Sequence, residues 1–238
     1  MQNNVVTIFK KELSAFFNSP VAYITIIVFL LINSWFFTST FFLINQSDLR
    51  QLFGIAPVTF LFFIPAITMS LVAKEKHDGT LEFLTTMPIS DFQIITGKFL
   101  SALALVGVAL TFTLVHLVTL FIVGNNFDFG ALISGYIGLF ILGAAYTSIG
   151  IFASTITDNQ ITAFIIGFLI IFIFFMLDKV LIFMPTFLNS TLQYLSVDYH
   201  LSNISKGVID SRNIVYFGSM ICFFLLVSVR NLEIRKWR

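Results

Sequence analysis

Phe99-Leu-Ser-Ala-Leu-Ala-Leu-Val-Gly-Val-Ala-Leu-Thr-Phe-Thr-Leu-Val-His-Leu-Val-Thr-Leu-Phe-Ile-Val-Gly124 contains no Asp, Glu, Lys or Arg and a single His. Crossing about 30 Å of hydrocarbon takes about 20 helical residues, so this run can span a bilayer once. Five further apolar stretches surround it, at 21–45, 56–73, 131–154, 161–177 and 214–232. The last is purely apolar only to Val229, and Arg230 has to reach back to the interface along its own aliphatic stem. A seventh patch, 180–184, ends at Pro185 and is too short to cross.

Composition agrees. Hydrophobic residues make up 58% of the 238 and charged residues 11%, against about 25% charged in soluble domains. A soluble domain of this size could not hide so much Phe, Ile and Leu from water. Cys222 is the only cysteine, which excludes an intrachain disulfide and gives no metal-cluster spacing. The net charge of +1 gives no footing for a nucleic-acid partner. No cleavable signal sequence is evident, so the first span is expected to act as an uncleaved anchor.

Lys and Arg set the orientation. With the N-terminus inside, Lys10, Lys11, Lys74, Lys76, Lys98, Arg230, Arg235, Lys236 and Arg238 lie on the cytoplasmic side. Arg50, Lys179, Lys206 and Arg212 then lie outside, nine against four. The expected fold is all-α: one transmembrane domain over 1–238, six spans, both termini cytoplasmic.

Two loops and the opening segment carry further structure. Residues 5–18 place Val5, Ile8, Phe9, Leu13, Phe16 and Phe17 mainly on one helical side, with Lys10, Lys11 and Ser14 elsewhere. The 1–20 segment therefore reads as an amphipathic helix in the membrane interface. The outer loop, 178–213, retains Leu181, Phe183, Phe187, Leu192, Tyr194, Leu195 and Leu201, and reads as short re-entrant or interfacial helices sheltered by protein.

The cytoplasmic loop, 74–98, contains Lys74-Glu-Lys-His-Asp-Gly-Thr-Leu-Glu-Phe-Leu-Thr-Thr-Met-Pro-Ile-Ser-Asp-Phe-Gln93. Gly79 can end one helix and Pro88 stops the next. Ser90 with Gln93 forms a capping box that opens the helix into the third span. A helix–break–helix with an apolar edge and acidic neighbours (Glu75, Asp78, Glu82, Asp91) is either a docking knob for another protein or a solvated connection, and sequence physics leaves both open.

The run from Glu75 to Ser90, followed by Gly97-Lys98, resembles the inner loop of ABC-2 type permeases, the membrane subunits of one class of ATP-binding-cassette (ABC) transporter. Phe9-Lys-Lys-Glu-Leu13 with Ser19-Pro20, the stretch 150–163, Tyr199-His200, Lys206-Gly-Val-Ile-Asp210 and Tyr216 are similar to that family in the same order and spacing. Within it the likeness is to the permease subunits of gliding-motility transporters. The resemblance implies an ABC ATPase whose surface receives the inner loop as a coupling helix, and a second permease, identical or not, completing the pathway. On that reading Leu81, Phe83 and Leu84 dock, Glu75 and Glu82 pair with basic groups of the ATPase, and Gly79, Thr80 and Pro88 shape the knob. For Gly79 and Pro88 ordinary helix punctuation is the competing reading. A bacterial inner membrane is the implied location.

ATP is not expected on this chain. It has no G-x-x-x-x-G-K-[ST] phosphate loop, since Gly97-Lys98 is followed by Phe99. ATP and Mg belong to the partner, and this chain is expected to hold no cofactor and catalyse nothing. The very short 155–160 loop agrees with the compact ABC-2 plan.

Polar groups at membrane depth are costly and often functional. His116 is the one ionisable side chain well inside a span, a candidate substrate or proton site against the plainer role of bonding a neighbouring helix. Asn33, Ser34, Thr38, Tyr146, Thr147 and Ser148 read as interhelical glue, at roughly 0.6 kcal/mol per bond. Gly135, Gly138, Gly143 and Gly150, with Ala145 and Ala153, suit close helix packing. Asp198, His200 and Asp210 lack the spacing of a metal site. An ion- or proton-coupled secondary transporter would need midplane charges or paired broken helices, and here only His116 qualifies. An intramembrane serine protease would need a nucleophile in a Gly-flanked turn, and Ser148 is not in one.

Overall fold

The computed structural model describes residues 4–43, 49–82, 88–123, 128–180, 193–207 and 210–235. These form α1 (Asn4–Phe17), α2 (Pro20–Thr38), α3 (Arg50–Thr68), α4 (Ser70–His77), α5 (Asp91–Val123), α6 (Phe129–Ile156), α7 (Gln160–Val180), α8 (Val197–Ser205) and α9 (Ser211–Arg235), and no strand occurs among the described residues. Six runs are long and apolar enough to cross a membrane: Pro20–Phe42, Gln51–His77, Asp91–Val123, Phe129–Ile156, Gln160–Val180 and Ser211–Ile234. The all-helical, six-span expectation holds.

Helix starts follow side-chain capping. Ser19 accepts from the Val21 amide at 3.3 Å ahead of Pro20. Asp128 accepts from Gly130 at 2.9 Å, and Asn159 from Ile161 at 2.9 Å. Such acceptors satisfy amides that a helix start leaves bare. The third span begins where its capping box places it: α5 starts at Asp91, directly after Ser90, and runs on into the apolar stretch. The second span departs from its expected form, being two helices with a break at Met69.

Lipid supplies no hydrophobic drive for helix association, so close packing of small residues has to. The centre of the bundle is α6, which touches α3, α4, α5, α7, α8 and α9; 78% of its most apolar stretch is buried, against 22% for α7. Its glycines make the approach possible. A Cβ on Gly150 would collide with the Thr68 hydroxyl of α3, one on Gly135 with the Phe53 ring, and one on Gly143 would lie 2.7 Å from Val106 of α5. The first span is tied in by Asn33, whose amide donates to Thr59 of α3 at 3.1 Å. Thr38 is exposed.

At the end opposite α1 and α4, Val197, His200, Leu201 and Ile204 of α8 are buried, and Gly138 of α6 gives room to Leu201 and Ile204. The Tyr216 hydroxyl donates to Leu195 O at 2.6 Å. Residues 181–192 and 208–209 of the outer loop lie outside the described residues.

Replacing Gly150 by Val should overpack the α3–α6 contact and cost about 1–3 kcal/mol, seen as a lower melting temperature in detergent. Gly54→Ala, whose added methyl meets nothing within 4 Å, should leave that temperature unchanged or raise it.

Candidate functional site

The charged end of the bundle is organised by α1. Its residues Ile8, Glu12 and Phe16, four apart, are buried and lie on one helical face. That face packs on α5 where Gly97 lacks a side chain: a Cβ there would sit 2.7 Å from Ile8. Glu12 thus points inward from an otherwise apolar stripe.

It meets Lys98, which is 1% exposed. The ammonium has three acceptors: Glu12 Oε1 at 2.8 Å, Leu71 O at 2.7 Å and Glu75 Oε2 at 2.8 Å. The Glu75 contact is an ion pair without good hydrogen-bond alignment, and it still neutralises the buried charge. Lys11 Nζ closes the cluster from the water side, 3.0 Å from Glu75 Oε1 and 3.4 Å from Glu12 Oε1. Burial pulls the Lys11 ammonium down, but the hydrogen bond and charge of Glu75, with Glu12, outweigh it and leave its pKa above the ordinary lysine value. An ammonium has three N–H donors, so one residue of α5 fastens α1 and α4 together.

This cluster sits at the base of the inner loop. The helix of α4 ends at His77, Asp78 N donates to Lys74 O at 2.9 Å, and Gly79 turns the chain with φ +69°, a conformation that disfavours side chains. Helix resumes at Thr80, whose hydroxyl donates to Glu75 O at 3.4 Å. On the far side of the loop Pro88 is exposed, and the capping box is present: Ser90 N donates to Gln93 Oε1 at 3.1 Å, and Gln93 N to Ser90 Oγ at 3.3 Å. The Asn4 amide of α1 donates to that Gln93 oxygen at 3.3 Å. So α1 braces both limbs of the loop, one through Glu12 and Lys11, the other through Asn4.

Two expectations for this loop change. Glu75, expected to face a basic group on another protein, has both oxygens turned to Lys11 and Lys98. Leu81, expected to dock outward, is 4% exposed and belongs to the core, so it anchors the loop base. Glu82 and Thr80 are exposed. Phe83 and Leu84 lie outside the described residues.

His116 is tied within the protein. Nδ1 lies 2.9 Å from Thr113 O, so it carries the proton; Nε2, 2.9 Å from Ser34 Oγ of α2, then accepts from that hydroxyl. Phe37 packs edge-on at 4.7 Å. Both ring nitrogens are occupied, which favours the helix-bonding role. In α6, Ser148 bonds its own helix at Ala145 O, 2.7 Å, and the buried Tyr146 and Thr147 hydroxyls have no partner among the described residues; these three are not interhelical glue. His200 faces Asn213 at 2.7 Å and Tyr194 O at 2.9 Å. Asp198 pairs with Lys179 at 2.6 Å.

In the sequence Lys98 figured as an orienting charge and, like Glu12, as part of a motif shared with the family, and neither was expected to be buried or paired. The available signal was Glu12 between Ile8 and Phe16 on an apolar stripe, a carboxylate that can stay there only with a buried partner. Ser154, which contacts α4, gave no signal beyond a small polar residue at a span end.

Lys98→Met would leave two carboxylates facing each other with only the half-solvated Lys11 between them. The expected loss is about 3 kcal/mol, the lower part of the range for a broken buried pair, measurable by denaturant unfolding in micelles. Adding Glu12→Gln and Glu75→Gln should restore most of it.

Over residues 6–222 the chain matches the family model described as ABC-2 family transporter protein. No curated protein matches it. The matched span takes in α2 to α8 whole, most of α1 and the first half of α9, so it covers the helices that build both the bundle and the braced loop. The chain belongs to the ABC-2 transporter family and is a multi-pass membrane permease.

Proposed function

We propose that this chain is one permease subunit of an ATP-driven transporter in a bacterial inner membrane, with both termini in the cytoplasm. It forms the pathway with a second permease, the same chain or a related one, and a separate ABC ATPase binds ATP and Mg. The single observation that carries the reading is the bracing of the 78–90 loop. A solvated connection between two spans needs no buried ammonium at one limb and no strap from α1 to the other. A loop that receives force needs both, since a push on a loose base moves the loop and not the helices.

On this reading Thr80, Glu82, Phe83, Leu84 and Pro88 present the contact surface, Gly79 sets its angle, and Leu81 and Glu75 hold it to the bundle. Force on the loop passes to α5 through Lys98 and to α6 through Lys76, whose ammonium donates to Thr155 O. The likeness to gliding-motility permeases supports a role in surface motility; a 1–238 transmembrane domain with no cofactor of its own fits the same assignment.

Leu84→Asp should abolish co-purification of an ABC ATPase with the tagged chain in mild detergent, while membrane insertion stays intact. Undiminished association would remove Leu84 from the contact, and no ATPase with the unmodified chain would count against the whole reading. A periplasm-dependent reporter fused after Lys236 should be inactive; activity there would reverse the orientation.

A further inference from the structure

The break in the second span has a cause outside that span. The Ser154 hydroxyl, from α6 and fully buried, lies between the two pieces. It accepts from Val72 N at 3.0 Å and Ala73 N at 2.9 Å, and donates to Met69 O at 3.0 Å. In a continuous helix those amides bond the carbonyls of Thr68 and Met69. A side chain inserted into that ladder bends the helix. Thr68 adds to the bend through its hydroxyl, which donates to Ile64 O at 2.8 Å, and Gly150, one turn before Ser154, gives α6 the clearance to come this close.

Beyond the break, α4 is fastened to helices other than α3. Lys98 of α5 holds Leu71 O and Glu75, Lys11 of α1 holds Glu75, and Lys76 holds Thr155 O of α6. The loop-bearing piece of the second span is therefore fastened to α1 and α5, linked to α6 through Ser154 and the flexible Lys76 side chain, and joined to α3 at Met69.

We propose that Ser154 is the pin of a two-position hinge in the second span. Inserted, as here, it holds the Val72 and Ala73 amides off the helical ladder and keeps α3 and α4 as two segments. Withdrawn, it releases the Val72 and Ala73 amides to the Thr68 and Met69 carbonyls, the span becomes continuous, and the loop swings with α4. The exchange leaves no buried group unsatisfied: the amides trade one oxygen for another, and the Ser154 hydroxyl can bond the Gly150 carbonyl of its own helix, as serines in helices do. Two arrangements with matched hydrogen bonding are what a bistable element requires. The use of this hinge in transport rests on the reading of the 78–90 loop given above; the hinge itself does not.

The test is the purified protein, with the subunits that accompany it, in lipid nanodiscs. A spin label at the exposed Lys74, in a Cys222→Ser background, reports the position of α4. Ser154→Ala should show, without nucleotide, a second mobility component that the unmodified protein gains only with ATP and vanadate, while the Val72 and Ala73 amides stay as protected from hydrogen exchange as before. Should the Ala variant not fold, Thr68→Val is the second route and should populate the same component in part. A label spectrum unchanged in a folded variant, or amides exchanging more than about tenfold faster, would overturn the hinge, since the break would then belong to Pro65 and Thr68 alone. If the Ala variant shifts but ATP and vanadate do nothing to the unmodified protein, the hinge stands and the ATPase-coupled reading fails.

Discussion

A lysine ammonium 1% exposed needs its charge compensated inside the fold, and that constraint organises the charged end of this protein. Lys98 has to find its acceptors inside the fold, and it draws one from α1 and two from α4. Each acceptor comes from an element that would otherwise be free to leave. The helix α1 is too short to cross a bilayer and needs protein contacts to hold its place, and α4 is separated from α3 at Met69. The ammonium joins both to α5, and the base of the 78–90 loop becomes as fixed as the bundle. Buried ion pairs are weak sources of stability compared with apolar packing; what this one provides is position.

The membrane part of the bundle is held differently. With lipid tails as apolar as the side chains, association depends on how near two backbones can come. Three glycines of α6 let α3 and α5 approach until the space of a single methyl is missing. Such contacts are intolerant of added volume and rich in dispersion contacts, which makes α6 the rigid axis against which other elements can be displaced. Asn33 with Thr59, and His116 with Ser34, add polar links between spans without leaving a charge in the hydrocarbon.

The same two devices meet at the broken second span. Clearance at Gly150 brings α6 near enough for Ser154 to reach the backbone of α4, and the Lys98 cluster carries α4 with α1 and α5. An interrupted helix is tolerated where protein groups replace the lost ladder bonds, and here a single hydroxyl meets three backbone groups.

Much of this was legible in the order of residues. Runs such as 99–124, too long and too uncharged for water, determined six helical spans, because a membrane leaves an isolated segment no other way to satisfy its backbone. Ser90 and Gln93 determined a helix start, and Gly79 a helix end, because capping and positive φ are local properties. The partners of Glu12, Glu75, Leu81, Lys98 and Ser154 were not legible. Lys98 lies 86 residues from Glu12 and Ser154 lies 81 from Ala73, and nothing in either neighbourhood names the other. A carboxylate reads the same in sequence whether it faces an ATPase or a buried ammonium. Sequence alone determined how many times the chain crosses the membrane and where its helices begin; only the tertiary structure decided which charges meet and where the second span breaks, because both depend on distances between helices that no local rule sets.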